Sequence, residues 1–399
     1  MEKRKIVALP GDGIGKIVLK EAIRVLDAVG FQAEYIYGDI GWEFWKKEGN
    51  PLPERTIKLL EEHKIALFGA ITSKPKDEAA KELNPELQGK GLTYSSPIVG
   101  LRQHFKLEIS MRPCHTYEGN PLNFIRRGKN GEIEEPKVDV VIFRQNTEGL
   151  YSGVEWTNPP ENVYEAFMTH PKFVKNFGDI PKEEISISTR IFSRGATERI
   201  LRAAFEHAKK YGYKSVTLTE KPNVIRETSG MMYKMAKEIQ QNEYPEIELW
   251  NTNIDAQMMW LTKNPEDYGV IVAGNMFGDI VSDAFAGLVG GLGFAASAQY
   301  NKETGVAVFE PTHGSAPKYA EYETPIVNPI AMIEAAVMML EYIGENQKAK
   351  RIRDAIAQVI KEGKVRTYDM LKLHGSPEVL NQGAASTYQM TDAIIEKLK

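Results

Sequence analysis

One cysteine, Cys114, stands in 399 residues. No intrachain disulfide is available, and the expected setting is a reducing, cytoplasmic compartment. Charge of either sign is not in excess. A formal net charge of -4 leaves no global field to draw in nucleic acid, so any bound anion must be held by local cations. Long apolar runs are missing too. The Gly- and Ala-rich stretch Phe285–Ala298 falls short of the ~20 residues that a membrane span needs. Ile6 to Pro10, behind a basic start, is too short for a secretory signal. Internal repeats and low-complexity tracts are absent. What remains is a globular protein with no expected membrane or nucleic-acid partner, long enough for one large or two ordinary domains.

The order of the remaining patterns predicts an α/β architecture. KIVALP, AEYIYG, IALFGAI, DVVIFR, SVTLTE and GVIVAGN are continuous apolar runs of the kind that buried parallel strands require. Helical patterns occupy 16–29, 54–63, 194–211 and 223–242. The C-terminal third reads as helical over 328–343, 346–362 and 384–398. Between Trp156 and Pro181 four prolines and scattered aromatics break the pattern, which predicts an irregular insertion leading into the alternating strand EISISTRIF.

The glycine-rich LPGDGIGK loop matches no nucleotide fingerprint. Gly11, Gly13 and Gly15 misplace the third glycine of G-x-G-x-x-G, and Lys16 is followed by Ile17 rather than Ser or Thr. A tight strand-to-helix turn is the better reading.

Chemistry-bearing residues appear elsewhere. In NMFGDIVSDAFAGLVGG, Asp279 and Asp283 are four apart on an otherwise apolar helical pattern, so both carboxylates share one face. Two like charges there repel unless a divalent cation such as Mg²⁺ or Mn²⁺ bridges them; the plainer alternative is a first-turn charge and a solvated one. Asp255, in NIDAQMMW, is a possible third ligand or an N-cap. Arg102 and Arg112 lie in LRQHFKLEISMRP, and Arg144 ends DVVIFR, where α/β sheets meet their ligands. Three arginines suit a di- or tricarboxylate, although each alone reads better as a surface ion pair. Tyr151 and Lys221 are candidate acid and base, against the alternatives of a core tyrosine and a solvated strand end. Lys318 with Tyr319, and Tyr368 with Lys372 at i,i+4 spacing, each pair a cation with a hydroxyl that a phosphate would accept, or are helix-surface lysines.

Taken in order, PGDGIG, LRQ…MRP, FRQNTEGLY, KPN, NMFGDIVSD and EPTHGSAPKY make the chain resemble the β-decarboxylating dehydrogenases that act on isocitrate, isopropylmalate and homoisocitrate. The resemblance covers essentially the whole chain. It implies a two-domain α/β fold with an open mixed sheet flanked by helices, which is not a Rossmann domain. Residues 1–107 plus 292–399 would form a large, cofactor-binding domain. Residues 108–149 plus 194–291 would form a small domain for substrate, metal and dimerisation, with 150–193 a clasp-like insertion. It implies a homodimer with shared active sites. Arg102, Arg112, Arg144 and Ser96 would hold the tricarboxylate substrate. Tyr151 would protonate carbon after CO₂ leaves, and Lys221 would handle the hydroxyl proton from the partner subunit. Asp279 and Asp283, with Asp255 donated across the dimer, would bind Mg²⁺ or Mn²⁺. Thr72, Asn223, His313, Gly314 and Asn328 would contact the cofactor.

The same resemblance implies NADP, through Lys318, Tyr319, Tyr368 and Lys372, because relatives that use NAD tend to carry an aspartate where Lys318 stands. The closest match is to NADP-dependent isocitrate dehydrogenases. Three positions depart from their pattern: Ile98 where asparagine is common, Gln145 for glutamate, and Lys372 for arginine. Ile98 keeps homoisocitrate and isopropylmalate open as substrates. A non-catalytic regulatory subunit is disfavoured by the presence of Tyr151, Lys221, Asp279 and Asp283, and an NTP-binding protein by the mismatched N-terminal loop.

Overall fold

A computed structural model describes residues 3–399. Ten strands form one mixed sheet in the spatial order Glu248–Asn253, Ser215–Glu220, Val270–Ala273, Asp139–Gln145, Ile109–His115, Ala296–Tyr300, Ala307–Pro311, Ile65–Ala70, Arg4–Gly11, Ala33–Tyr37. The first four run parallel to one another, as do the last four. The two in the middle pair antiparallel with their neighbours. The expected open mixed sheet is therefore present, and all six predicted strands lie in it. Ile65–Ala70 and Val270–Ala273 are buried at every position, as strands covered on both faces must be.

Helices Gly15–Ala28, Glu54–His63, Arg194–Tyr211 and Asn346–Glu362 form where the periodicity predicts them. Ile330–Tyr342 is buried from Ile330 to Leu340 and sits at the centre of the largest apolar cluster, against Gly15–Ala28, Asn346–Glu362 and the strands beneath. The helix expected over 223–242 begins only at Thr228, because Val224 and Ile225 donate back to the Lys221 carbonyl and form a turn instead. The one expected over 384–398 runs from Thr387 to Glu396, started by a capping box between Ser386 and Gln389. Among the described residues, no helix is long and apolar enough to cross a membrane.

The insertion is more regular than its composition suggests. Glu155–Thr157 pairs antiparallel with Ser186–Ser188 as a separate two-stranded sheet, so EISISTRIF supplies only a three-residue strand. Between them lie helices Glu161–Met168 and Pro171–Phe177. The prolines that argued against order act as helix starters. Pro160 precedes the first helix and Pro171 opens the second, where a missing N–H costs nothing.

The LPGDGIGK loop is a turn between the first strand and first helix, as expected. Its glycines allow close backbone approach. A Cβ on Gly11 would lie 1.9 Å from the Ala70 carbonyl oxygen, and one on Gly13 would lie 2.1 Å from that of Ser315. The amides of Asp12 and Ile14 donate to those same two carbonyls.

Candidate active site

The register of the central strands puts one polar stripe on one face of the sheet. Arg144 lies opposite Ser110, and Ser110 opposite Gln299. One step along, Arg112 lies opposite Ile142, and Glu310 opposite Ser297. Residues opposite each other or two apart share a face. Arg112, Arg144, Gln299 and Glu310 therefore project together, though they come from four strands.

Helix Asn275–Val289 covers part of that face and brings the carboxylates to it. Arg144 donates from Nε (2.9 Å) and Nη2 (2.7 Å) to Asn275 Oδ1, and from Nη1 to Asp279. Its stem lies across the helix because residue 278 is glycine: a Cβ there would be 2.8 Å from Arg144 Cβ. Arg112 Nη1 donates to Ser282 Oγ at 2.8 Å and stands 3.2 Å from Asp279 Oδ1 and 3.4 Å from Asp283 Oδ1. As the i,i+4 spacing predicts, both aspartates present oxygens to one place, and a cation already stands between them. The Tyr151 ring lies 5.6 Å from the Arg144 guanidinium, with the side chain 47% exposed. Arg102, on helix Pro97–His104, donates from Nε to Gln299 Oε1 at 2.6 Å. Ser96 is the residue before that helix, and its hydroxyl makes no capping bond.

The electrostatics favour an added anion. Burial, then the neighbouring Arg112 charge, pushes Arg144 down to about 9, still protonated at neutral pH. Burial also lowers Arg102, and it raises Asp283 and Glu310. Arg112 Nε is buried without a hydrogen-bond partner. A cluster of guanidiniums destabilised by burial and mutual repulsion is a receptor for carboxylates.

Lys221 and Asp255 are not part of this cluster within one chain. They pair with each other, and that contact holds the Asp255 carboxyl below its usual range. Asp255 lies in the first turn of helix Ile254–Trp260 and is not its N-cap, which is Asn253. Among the described residues of one chain, no three His, Cys, Asp or Glu side chains gather to hold a metal.

A second cleft, of about 480 Å³, is lined by His313, Gly314, Tyr319, Asn328 and Tyr368, all expected cofactor contacts. Sequence reasoning missed its opposite wall, Gly290–Gly293, as well as Asp369, which accepts from Asn328 at 3.1 Å. Burial lowers His313, whose Nε2 is buried and unpartnered. Thr72, Asn223, Lys318 and Lys372 do not line the cleft. Thr72 is bonded to Ser315 (2.7 Å) and Asp12 (2.9 Å), and Asn223 is exposed in the turn after Lys221. The i,i+4 argument for Tyr368 and Lys372 does not apply. RTYDMLKL is a run of turns rather than a helix, and Lys372 adopts φ 56. Tyr368 instead meets Tyr319, with ring centroids 5.7 Å apart.

A family model described as isocitrate/isopropylmalate dehydrogenase matches residues 5–394. Protein DlpA of Legionella pneumophila is 39% identical over 98% of this chain, which spans 58% of DlpA's length. The 3-isopropylmalate dehydrogenase of Archaeoglobus fulgidus is 38% identical over 90% of this chain and 93% of its own. The crystal structure of isocitrate dehydrogenase from Methylococcus capsulatus superposes with a TM-score of 0.80, at 34% identity over 99% of each chain.

Proposed function

The chain belongs to the isocitrate/isopropylmalate dehydrogenase family, and we propose that within it the protein oxidises and decarboxylates isocitrate to 2-oxoglutarate and CO₂ with NADP as hydride acceptor. The observation that carries this reading is the convergence of Arg102, Arg112 and Arg144 beside Asp279 and Asp283. That is a tricarboxylate's worth of cations next to an all-oxygen donor pair. Ser96, with its uncapped hydroxyl on the helix of Arg102, supplies a further donor for the same substrate.

The donor set fits Mg²⁺ or Mn²⁺, because it is carboxylate oxygen alone and both carboxylates already face one cationic group, Arg112 Nη1. Such an ion would acidify the substrate hydroxyl and stabilise enolate charge, and the nicotinamide would take the hydride. Lys221, in its neutral amine form, would accept the hydroxyl proton. The carboxylate β to the new ketone leaves as CO₂, and Tyr151, beside Arg144, gives a proton to the carbon that bore it.

The missing metal ligand and the base come from a second copy. Lys221 and Asp255 are paired on one chain near exposed apolar side chains, Trp250, Met259 and Trp260, which a homodimer would cover. The large domain of 1–107 with 292–399 holds the cofactor, the small one of 108–149 with 194–291 carries the metal helix and dimer face, and 150–193 is the clasp.

NADP is favoured over NAD by Lys318 and Lys372 together with Tyr319 and Tyr368, the two of the four that line the cleft, with Thr72 and Asn223 as general cofactor contacts. One observation favours a second substrate reading. Ile98 packs half-buried against the apolar cluster of Leu101 and Phe105, which suits the longer homoisocitrate or the apolar isopropylmalate.

The test is absorbance of reduced nicotinamide with each of the three hydroxy acids, NADP or NAD, and Mn²⁺ or Mg²⁺. Fast isocitrate turnover with NADP, abolished by a chelator, is the expected result. A preference for either other acid overturns the substrate assignment, and no turnover overturns the catalytic one.

A further inference from the structure

The Arg102 guanidinium is anchored by a neutral amide, although a buried carboxylate lies within reach. Its Nε donates to Gln299 Oε1 at 2.6 Å, whereas Nη2 stands 3.6 Å from Glu310 Oε1. The second distance is well beyond the ~2.7–2.9 Å of a charge-assisted bond. Nη1 has no hydrogen bond to the protein among the described residues.

The reason is the orientation of Gln299. This side chain is fully buried, and its two ends face opposite demands. Oε1 also accepts from Asn146 Nδ2 at 2.7 Å, so two donors converge on the carbonyl end. Nε2 donates to Glu310 Oε1, the same oxygen that Arg102 would otherwise take. Asn146 Nδ2 is tied in turn to the Leu107 carbonyl at 3.2 Å, which follows the Arg102 helix. The terminal amide of glutamine offers an acceptor and a donor at once, which a carboxylate or a guanidinium does not. The sheet register sets it in place. Gln299 sits opposite Ser110, and Glu310 lies on the same face two positions from the residue opposite Gln299.

We propose that Gln299 is a positioning residue for substrate binding: it holds Arg102 through Nε and occupies Glu310, so that the Nη edge stays free for a substrate carboxylate. This rests on the reading of Arg102 as a substrate-binding arginine. Glu310 remains close enough to offset the Arg102 charge without closing on it.

The test uses full-length Q299M, which nearly keeps the volume and removes all three side-chain hydrogen bonds of Gln299, with Q299L as a second apolar variant should Q299M fold poorly. KM for the hydroxy acid, KM for the cofactor, kcat and thermal midpoint are measured for each, beside the double variant Q299M/E310Q and the control R102Q. We expect Q299M to raise hydroxy-acid KM about tenfold, the loss of one charge-assisted hydrogen bond, with cofactor KM within about twofold of wild type. The double variant should recover several-fold of that loss, because the carboxylate that captures Arg102 is gone. A purely structural role predicts the reverse, a double variant worse than the single. Unchanged hydroxy-acid KM in Q299M, or no recovery in the double variant, overturns the inference if R102Q still raises KM. Unchanged KM in R102Q overturns the substrate reading itself, and the inference with it.

Discussion

Lys221 and Asp255 hold each other at the surface of a single chain, while the residues they are expected to work with, Tyr151, Asp279 and Asp283, gather around Arg144 and Arg112. If sites are completed across a dimer, K221M and D279N are each inactive alone but complement one another. In a mixed dimer, one of the two sites has an intact Lys221 from one subunit and an intact Asp279 from the other. Each single variant should lose more than about 100-fold in kcat, and co-expression should restore about a quarter of wild-type activity from the statistical share of mixed dimers. No recovery in purified mixed dimers would place the whole site within one chain.

Gly13 adopts φ 52, and its Cα faces the Ser315 carbonyl with no room for a methyl group. G13A should therefore act on folding. We expect a loss of more than about 2 kcal/mol in unfolding free energy, from the steric contact and the left-handed backbone together. Denaturant unfolding checks this. Undiminished stability with a selectively raised nucleotide KM would instead mark the loop as a phosphate cradle.

The parallel blocks were legible because strands covered on both faces must be continuously apolar, as in IALFGAI and DVVIFR. The central strands were not. LEISMRPCH and ASAQY carry polar residues at alternate positions and AVFEP carries the lone Glu310, since one face of each strand lines the site. That alternation of Ser110 with Arg112, and of Ser297 with Gln299, was the available signal, and it also marks the polar stripe. The arginines and paired aspartates were readable from residue type and spacing. The amide that holds Arg102 was not, because its partners, Asn146 and Glu310, are distant in sequence. The insertion misled for another reason: proline reads as a breaker, yet at the first turn it starts helices.

His207 is packed among Phe143, Tyr211 and Tyr213, with ring centroids 5.2, 4.4 and 5.9 Å away. Burial, then the Lys210 and His115 charges, pushes it from 6.5 down to about 4, with Asp139 opposing. Between those two values the unfolded chain binds the proton and the folded one does not. Stability from this residue is complete above about pH 6.5 and is lost as pH falls toward 4. H207F keeps the ring and removes the proton. It should flatten the slope of unfolding free energy over that window by up to about 1.4 kcal/mol per pH unit. An unchanged slope in urea titrations at pH 4.5 to 6.5 would show that His207 is protonated in the native state.

Lys318 is exposed in the short helix Pro317–Ala320, beside Tyr319, whose ring lines the cleft with Tyr368. On the NADP reading, a 2′-phosphate near Tyr319 and Tyr368 would come within reach of the Lys318 side chain outside the cleft, whereas NAD brings only a ribose hydroxyl. K318D removes one charge-assisted contact and adds a repulsion. It should lower kcat/KM with NADP by about tenfold to a hundredfold and leave that with NAD within about threefold. K318M separates the two effects, because it loses the attraction without gaining the repulsion and should fall between wild type and K318D. The loss should also shrink with added salt, since an exposed cation is screened. Equal losses with both cofactors would mean that Lys318 supports the fold of the cleft and does not read the phosphate.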